Sequence, residues 1–222
     1  LCYYQCPQLE STELLAARLF GKEPKSESIG EYKTAFSARA TDPDIREKGQ
    51  DGGAVTALLG MLLEEGYIDG AVVTVSGEDP WDPVPKVATN QEELREGSGT
   101  IYSRGNLMTG VSKAIELYGL KNIAVVGTPC QLKAFRRMES GGVDARKLRS
   151  KVKLLVGLFY TESFSYPNVV KIAEDELGMD IEDVEKMDIN KGNFTVHGKD
   201  GSEQSMPVKE LREYATLPCK IC

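Results

Sequence analysis

The chain has 222 residues, 41% of them hydrophobic and 27% charged, enough for a substantial core and for one large or two small globular domains. Its 34 acidic residues against 27 basic ones give a formal net charge of -7. That balance excludes a general nucleic-acid surface and requires any phosphate site to be built locally. No run approaches the roughly 20 apolar residues of a membrane-spanning helix, so this segment is expected not to insert into a membrane.

The first residues, Leu-Cys-Tyr-Tyr-Gln-Cys-Pro, hold neither an initiator Met nor a basic segment leading into an apolar one. They read as an excerpt of a longer chain rather than as a signal peptide. A short helix is expected from Thr12 to Phe20, then a polar linker, "GKEPKSESIGEY", which marks a domain boundary between residues 1–31 and 32–222. "AFSARATD" carries a strand signal. "QDGG" opens an apolar helix, Ala54 to Glu65, with Gly66 as its stop.

A strand, "GAVVTVSG", comes next. "EDPWDPVPK", with Pro80, Pro83 and Pro85, is expected to be loop. Asn90 caps a helix "QEELRE", and another helix runs from Asn106 to Tyr118. "KNIAVVG" is a strand ending at the helix "QLKAFRRM"; "RKLRSKVKLLVGLFY" contains a further buried strand, and "YPNVVKIAEDELG" a helix with Pro167 near its first turn. Repetition of strand and helix in this order predicts an α/β fold, a mixed sheet covered by helices. Beyond Met179 the pattern changes to "VEKMDIN", "NFTVHG" and "SEQSMPV", with a hairpin turn at Lys199-Asp200-Gly201. A small antiparallel β element is therefore expected near the C-terminus.

The five cysteines fall in three places: Cys2 and Cys6, Cys130, and Cys219 with Cys222. Clustered thiols of this kind point to metal or redox chemistry in a reducing, cytoplasmic compartment. Cys2-x3-Cys6-Pro7 has the ending of a bacterial ferredoxin run, which favours ligation of an iron-sulfur cluster over a chance pair near a terminus. Cys219-x2-Cys222 has the spacing with which two thiolates grip one metal, shared by zinc ribbons and thioredoxin-like motifs. A thioredoxin motif opens a helix, and after "REYATLP" nothing is expected to form one. Cys130 lies at a helix N-terminus, where free N–H groups and the helix dipole favour thiolate. A packed thiol, a nucleophile and a cluster ligand all fit it; a nucleophile wants a neighbouring His, and the single histidine, His197, lies in the hairpin region.

Asp51-Gly52-Gly53 before an apolar helix offers free N–H groups and close backbone approach, as a phosphate or a flavin ring needs, although it is neither a Walker A loop nor a dinucleotide fingerprint. In "GSGTIYSRGN", Ser98, Thr100, Ser103, Arg104 and Asn106 could donate to phosphate oxygens, and Tyr102 could stack on a ring; a polar loop is the plainer reading. The run "AEDELGMDIEDVEKMD" reads as a solvated face, and His197 as a hairpin residue.

Taken together, "QDGGAVTALL", "EEGYIDGAVV", "GSGTIYSRGN", "VVGTPCQLKAFRRM", "KVKLLVGLFYTESFSY", "VEKMDINKGNF" and "LPCKIC" resemble the beta subunit family of the coenzyme F-420-reducing hydrogenase, from about Tyr32 to Cys222. The resemblance implies an oxidoreductase that binds FAD and one 4Fe-4S cluster and uses coenzyme F-420, a deazaflavin, as substrate. It implies Cys130, Cys219 and Cys222 as cluster ligands. It sets the flavin against Ser37 to Thr41, Asp51 to Thr56 and Gly99 to Asn106, with Arg39, Thr41, Gly52, Gly53 and Thr56 among its contacts. Many members carry a Cys where this chain has Tyr160, so the fourth ligand is missing or comes from elsewhere. The ferredoxin-like ending before residue 32 resembles fusions found in the electron-input subunit of the F-420H2 dehydrogenase and in F-420-dependent sulfite reductase; a domain of residues 32–222 would then be incomplete at its C-terminus.

The function implied is conversion of a two-electron hydride donor, reduced F-420, into single electrons that leave through clusters to other electron-transfer subunits or domains, with the protein positioning and tuning the groups. A membrane complex is one place such a subunit docks. Two other classes compete: an iron-sulfur adaptor with no substrate site, and a zinc-stabilised binding module.

Overall fold

The computed structural model describes residues 12–21, 30–160 and 162–220. Cys2, Cys6, most of the polar linker and Cys222 lie outside the described residues. Helix α1 (Thr12–Phe20) buries Leu15 and Ala16. Two helices follow, α2 (Pro43–Lys48) and α3 (Ala54–Glu64). Four strands then make the main sheet: β1 (Gly70–Ser76), β2 (Pro83–Ala88), β3 (Ile123–Gly127) and β4 (Val152–Gly157), in the order β2-β1-β3-β4. β1, β3 and β4 are parallel, and β2 is antiparallel on the edge.

Parallel neighbours need crossovers, and helices supply them. α4 (Gln91–Glu96) and α5 (Leu107–Glu116) lead to β3, while α6 (Pro129–Met138) and α7 (Val143–Arg149) lead to β4. Because successive strand side chains face opposite ways, Val72, Val125 and Val152 pack with Leu107, Val111 and Phe135 on one face. Ala71, Val73 and Ala124 pack with Leu59 and Leu94 on the other. The expected mixed sheet covered by helices is thus present.

So is the small antiparallel element. β5 (Val184–Asn190), β6 (Asn193–Gly198) and β7 (Glu203–Pro207) form a three-stranded meander. Its β6–β7 turn uses Gly201 at φ 82° and Asp200, whose carboxylate accepts from the Ser202 N–H at 2.8 Å. Helix α8 (Tyr166–Lys171) backs this sheet and continues as a wider turn, Ile172–Glu176, until Gly178 stops it in the left-handed region. Phe164, Ile172, Phe194 and Leu211 are its fully covered centre.

Phe164 also pairs through its backbone with two segments outside the sheets, parallel with Ser103 and antiparallel with Ala215. Trp81, just before β2, reaches β5. Its indole N–H donates to the Val184 carbonyl at 3.3 Å, and its own carbonyl accepts from Ser103 Oγ at 3.0 Å. The last described element is a single turn, α9 (Leu217–Lys220).

Four local expectations are corrected. The proline-rich "EDPWDPVPK" is not all loop, for Pro83 and Pro85 lie in β2; an edge strand tolerates prolines because the missing N–H groups cost the ladder nothing on the open side. "AFSARATD" finds no strand partner and stays irregular, its Ala40 N–H bonding the Gly52 carbonyl at 2.7 Å. Within that stretch Asp42 caps α2, accepting from Asp44 N–H at 2.9 Å ahead of Pro43 at the first helical position. β4 is half-buried, with Val152 alone fully covered, because it forms the sheet's other edge. And a turn of helix, α9, does form around Cys219.

Candidate functional site

The parallel pairing of β3 with β4 sets Gly127 opposite Gly157. Each strand ends there, and the Leu158 N–H still bonds the Gly127 carbonyl at 3.0 Å. Cys130 lies three residues beyond the first glycine and Tyr160 three beyond the second. Register alone therefore brings the thiol and the phenol together at the carboxyl ends of the strands, where open α/β sheets place their ligands. The Tyr160 hydroxyl donates to Cys130 Sγ at 3.3 Å.

Thr128 precedes α6, and its N–H donates to Gln131 Oε1 at 2.9 Å, half of a capping box. Gln131 Nε2 reaches the Gly105 carbonyl at 3.2 Å and ties this helix start to the 99–106 loop. Thr128 Oγ1 stands 3.2 Å from Cys130 Sγ. The same local plan recurs at the far end of the chain. Thr216 precedes α9, its Oγ1 donates to Cys219 Sγ at 3.3 Å, and its N–H bonds the Ser163 carbonyl at 2.9 Å. Both thiols thus sit in the first turn of a helix that a threonine opens.

Three short backbone segments hold Cys219 in place: residues 102–104, 163–164 and 215–216, linked through Phe164. Arg104 Nη2 donates to Ser163 Oγ at 3.0 Å, to Thr216 Oγ1 at 2.9 Å and to Cys219 Sγ at 3.5 Å. Ser163 Oγ itself lies 3.4 Å from that sulfur. Partial burial pushes the Cys219 thiol up, yet hydrogen bonds from Ser163, Thr216 and Tyr160 outweigh it and bring its pKa down to about 7. Burial, followed by the hydrogen bond to Cys130 and the charges of both thiols, raises the Tyr160 pKa and keeps the phenol protonated.

The structure brings Cys130 and Cys219 to one place. Among the described residues, no group of three or more His, Cys, Asp or Glu side chains could hold a metal ion, and Cys222, Cys2 and Cys6 fall outside those residues. His197 is held on the meander instead, between Asp188 Oδ2 at 2.8 Å and Glu203 Oε1 at 3.0 Å.

The flavin candidates divide by position. Ser37, Arg39, Thr41, Asp51 and Asn106 are exposed. Thr56 is buried, its hydroxyl 3.2 Å from Ser98 Oγ, so α3 and the 97–100 turn meet. Thr100 is half-buried beside them in sequence. Gly52 and Gly53 carry φ of 86° and 68°, and a Cβ on Gly53 would stand 2.5 Å from the Ile45 carbonyl oxygen. The left-handed backbone accounts for both glycines, and packing against Ile45 for Gly53 as well. No side chain caps the N-terminus of α3. Just before the Gly52–Gly53 turn, Gln50 Oε1 is buried with no hydrogen-bond partner, and Arg95 of α4 pairs with Asp42 at 2.8 Å while its Nε is buried without one.

Tyr102 and Ser103 serve the joint between the sheets. The Tyr102 ring meets Phe194 edge-on, centroids 5.3 Å apart, and burial, then the charges of Asp188 and Asp51, raises its pKa. Ser103 is buried and bonded to Trp81. Sequence reading set Arg104 toward a phosphate, whereas here its guanidinium faces Cys219. Trp81, Gln131, Ser163 and Thr216 escaped it altogether. The repeated threonine before each Cys-bearing helix, in "GTPC" and "TLPC", was the available signal.

Residues 35–112 match the family model for coenzyme F-420 hydrogenase/dehydrogenase, beta subunit N-terminus, and residues 120–222 the one for its C-terminus. The chain is 40% identical over 194 residues to the coenzyme F-420 hydrogenase subunit beta of Methanothermobacter thermautotrophicus, covering 87% of this chain and 69% of that protein. It is 38% identical over 234 aligned positions to the coenzyme F-420-dependent sulfite reductase of Methanocaldococcus jannaschii, covering all of this chain and 34% of that protein. A chain from the F-420-reducing NiFe hydrogenase complex of Methanosarcina barkeri superposes with a TM-score of 0.78 at 37% identity, over 83% of this chain and 63% of that one. This chain therefore spans less than two thirds of its solved neighbour. Among the described residues no helix is long and apolar enough to cross a membrane.

Proposed function

The chain belongs to the coenzyme F-420 hydrogenase/dehydrogenase beta subunit family, and on that premise we propose that it is the part of an F-420-dependent oxidoreductase that turns hydride from reduced F-420 into single electrons. In this reading FAD supplies the two-electron acceptor and a 4Fe-4S cluster the one-electron carrier. The observation that carries it is the meeting of Cys130 with Cys219 at the carboxyl ends of β3 and β4, amid donors from Tyr160, Ser163, Thr216 and Arg104.

The residues fit both groups. Soft thiols set among hydrogen-bond donors suit iron and sulfide, and the Arg104 guanidinium offsets thiolate charge. Cys130 and Cys219 hold the metal, with Cys222 two positions beyond Lys220 as the third ligand. The chain's share in the flavin site is the uncapped N-terminus of α3, with Gln50 ahead of it and Arg95 of α4 offering unpartnered polar atoms. Ser37, Arg39, Thr41, Asp51, Thr56, Thr100 and Asn106 complete the candidate contacts around it. No acid or base among these side chains is asked to move a proton; they position, orient and screen.

Residues 1–31 are assigned to the end of a ferredoxin-like module through Cys2 and Cys6. The match of the sulfite reductase to the whole chain, against 87% for the hydrogenase subunit, supports a ferredoxin-fused member. Its partners are other electron-transfer subunits or domains, and clustered thiols suit a reducing cytoplasm.

The test is composition with activity. The natural full-length protein, purified without oxygen, is expected to hold FAD, iron and sulfide, and to oxidise reduced F-420 with an artificial acceptor. Iron without FAD or F-420 oxidation would instead support the adaptor class, and zinc without iron the binding module.

A further inference from the structure

By the resemblance drawn from the sequence, Tyr160 stands where a fourth cluster ligand would be expected, and its surroundings say what it does there. Its hydroxyl donates to Cys130 Sγ at 3.3 Å. On the far side of Cys219, Arg104 Nη2 donates at 3.5 Å to the sulfur and is braced on Ser163 and Thr216. We infer that Tyr160 is not the fourth ligand of the iron-sulfur group but a positioning residue, which together with Arg104 donates hydrogen bonds to the Cys130 and Cys219 sulfurs and raises the group's reduction potential.

This rests on the cluster reading above. Three features support it. The Gly127–Gly157 register sets the phenol beside the thiol, and the O–H donates to Cys130 Sγ at 3.3 Å. A phenolate oxygen is a hard donor among soft ones, and it would add negative charge to a group that the protein balances with a guanidinium. Lastly, donors to ligand sulfurs stabilise the reduced, more negative state and so raise the potential, an established role for hydrogen bonds around such groups. Tyr160 comes from the end of β4 and Arg104 from the 99–106 loop, so the two act from separate elements on neighbouring sulfurs.

The experiment uses the natural full-length protein, prepared without oxygen, with Tyr160→Phe and Arg104→Gln as separate variants. Iron and sulfide are counted per chain, resonance Raman reports any tyrosinate bound to iron, and a redox titration followed by electron paramagnetic resonance gives the potential. Expected are unchanged iron and sulfide in Tyr160→Phe, no tyrosinate–iron bands in the parent, and a shift of the midpoint to more negative values in both variants. Tyrosinate–iron bands in the parent, or loss of iron in Tyr160→Phe, would overturn the inference by making Tyr160 a ligand. A midpoint unmoved in both variants would overturn it with the cluster reading intact. A parent free of iron and sulfide would overturn the cluster reading itself, and this inference with it.

Discussion

Substituting Gly53 by alanine separates two explanations of the "QDGG" motif. If the glycine is needed by the chain's own packing, the protein suffers before any cofactor is added. The new Cβ would stand 2.5 Å from the Ile45 carbonyl oxygen and 2.8 Å from Ile45 Cγ2, at a φ of +68°. That carbonyl cannot simply move, since it accepts the Gly49 N–H at 3.0 Å and closes α2. The left-handed backbone costs about 1–2 kcal/mol for a residue with a side chain, and a clash with immovable backbone about 1–3 kcal/mol. Together they give about 3 kcal/mol, or a melting temperature lowered by about 6–12 °C in a chain of this length. Gly52→Ala is the control: its φ is +86°, but the nearest neighbour is Arg39 Cβ at 3.1 Å, which can give way. It should cost only the backbone part, about 1–2 kcal/mol. The assay is thermal melting of the flavin-free protein followed by flavin titration. A flavin-free Gly53→Ala protein that melts with the parent, while its flavin affinity falls, would refute the packing argument and return the glycine to the ligand.

Two further outcomes follow from the meander's core and from the thiol pair. Phe164→Ala removes a fully covered ring from the core behind the meander and should cost about 3–5 kcal/mol in urea unfolding; a loss below about 1 kcal/mol would mean that the core does not lean on it. Cys219 in iron-free protein should react with iodoacetamide with a midpoint near pH 7, because its pKa is lowered to about 7. Since the folded value lies below that of an ordinary thiol, its stabilisation is present above about pH 8.5 and is lost as pH falls through 7. The tryptic peptide ending at Lys220 carries Cys219 apart from Cys222. A midpoint at or above the ordinary value would show that Ser163 and Thr216 do not donate to the sulfur.

The fold was legible where periodicity was strong. "KNIAVVG" and "VEKMDIN" announce strands whose faces the sheets then use, and Asn90 caps its helix through Glu93 N–H at 3.0 Å. It was illegible where context overrides propensity. Prolines 83 and 85 are admitted to β2 only because that strand is an edge, and "AFSARATD" pairs with no strand, its backbone instead meeting Gly52 through Ala40. For the site, the cysteines declared themselves by type and spacing, and the Cys130–Tyr160 meeting needed just the register of two parallel strands. Arg104, Ser163 and Thr216 did not, because they converge through single bridges at Phe164 that carry no periodic signal. Tyr102 looked free to stack on a ring because sequence cannot tell that Phe194 meets it edge-on from another sheet.

The central claim is tested most directly by anaerobic mixing of the natural full-length protein, in excess and with no other acceptor, with one equivalent of reduced F-420. Oxidised F-420 is read by its fluorescence and the iron-sulfur and flavin bands by their absorbance. The account predicts that the fluorescence appears in a single turnover as those bands bleach, and that Cys130→Ala abolishes the iron-sulfur part. Reduced F-420 left unoxidised by a protein that holds its full flavin and iron would contradict it.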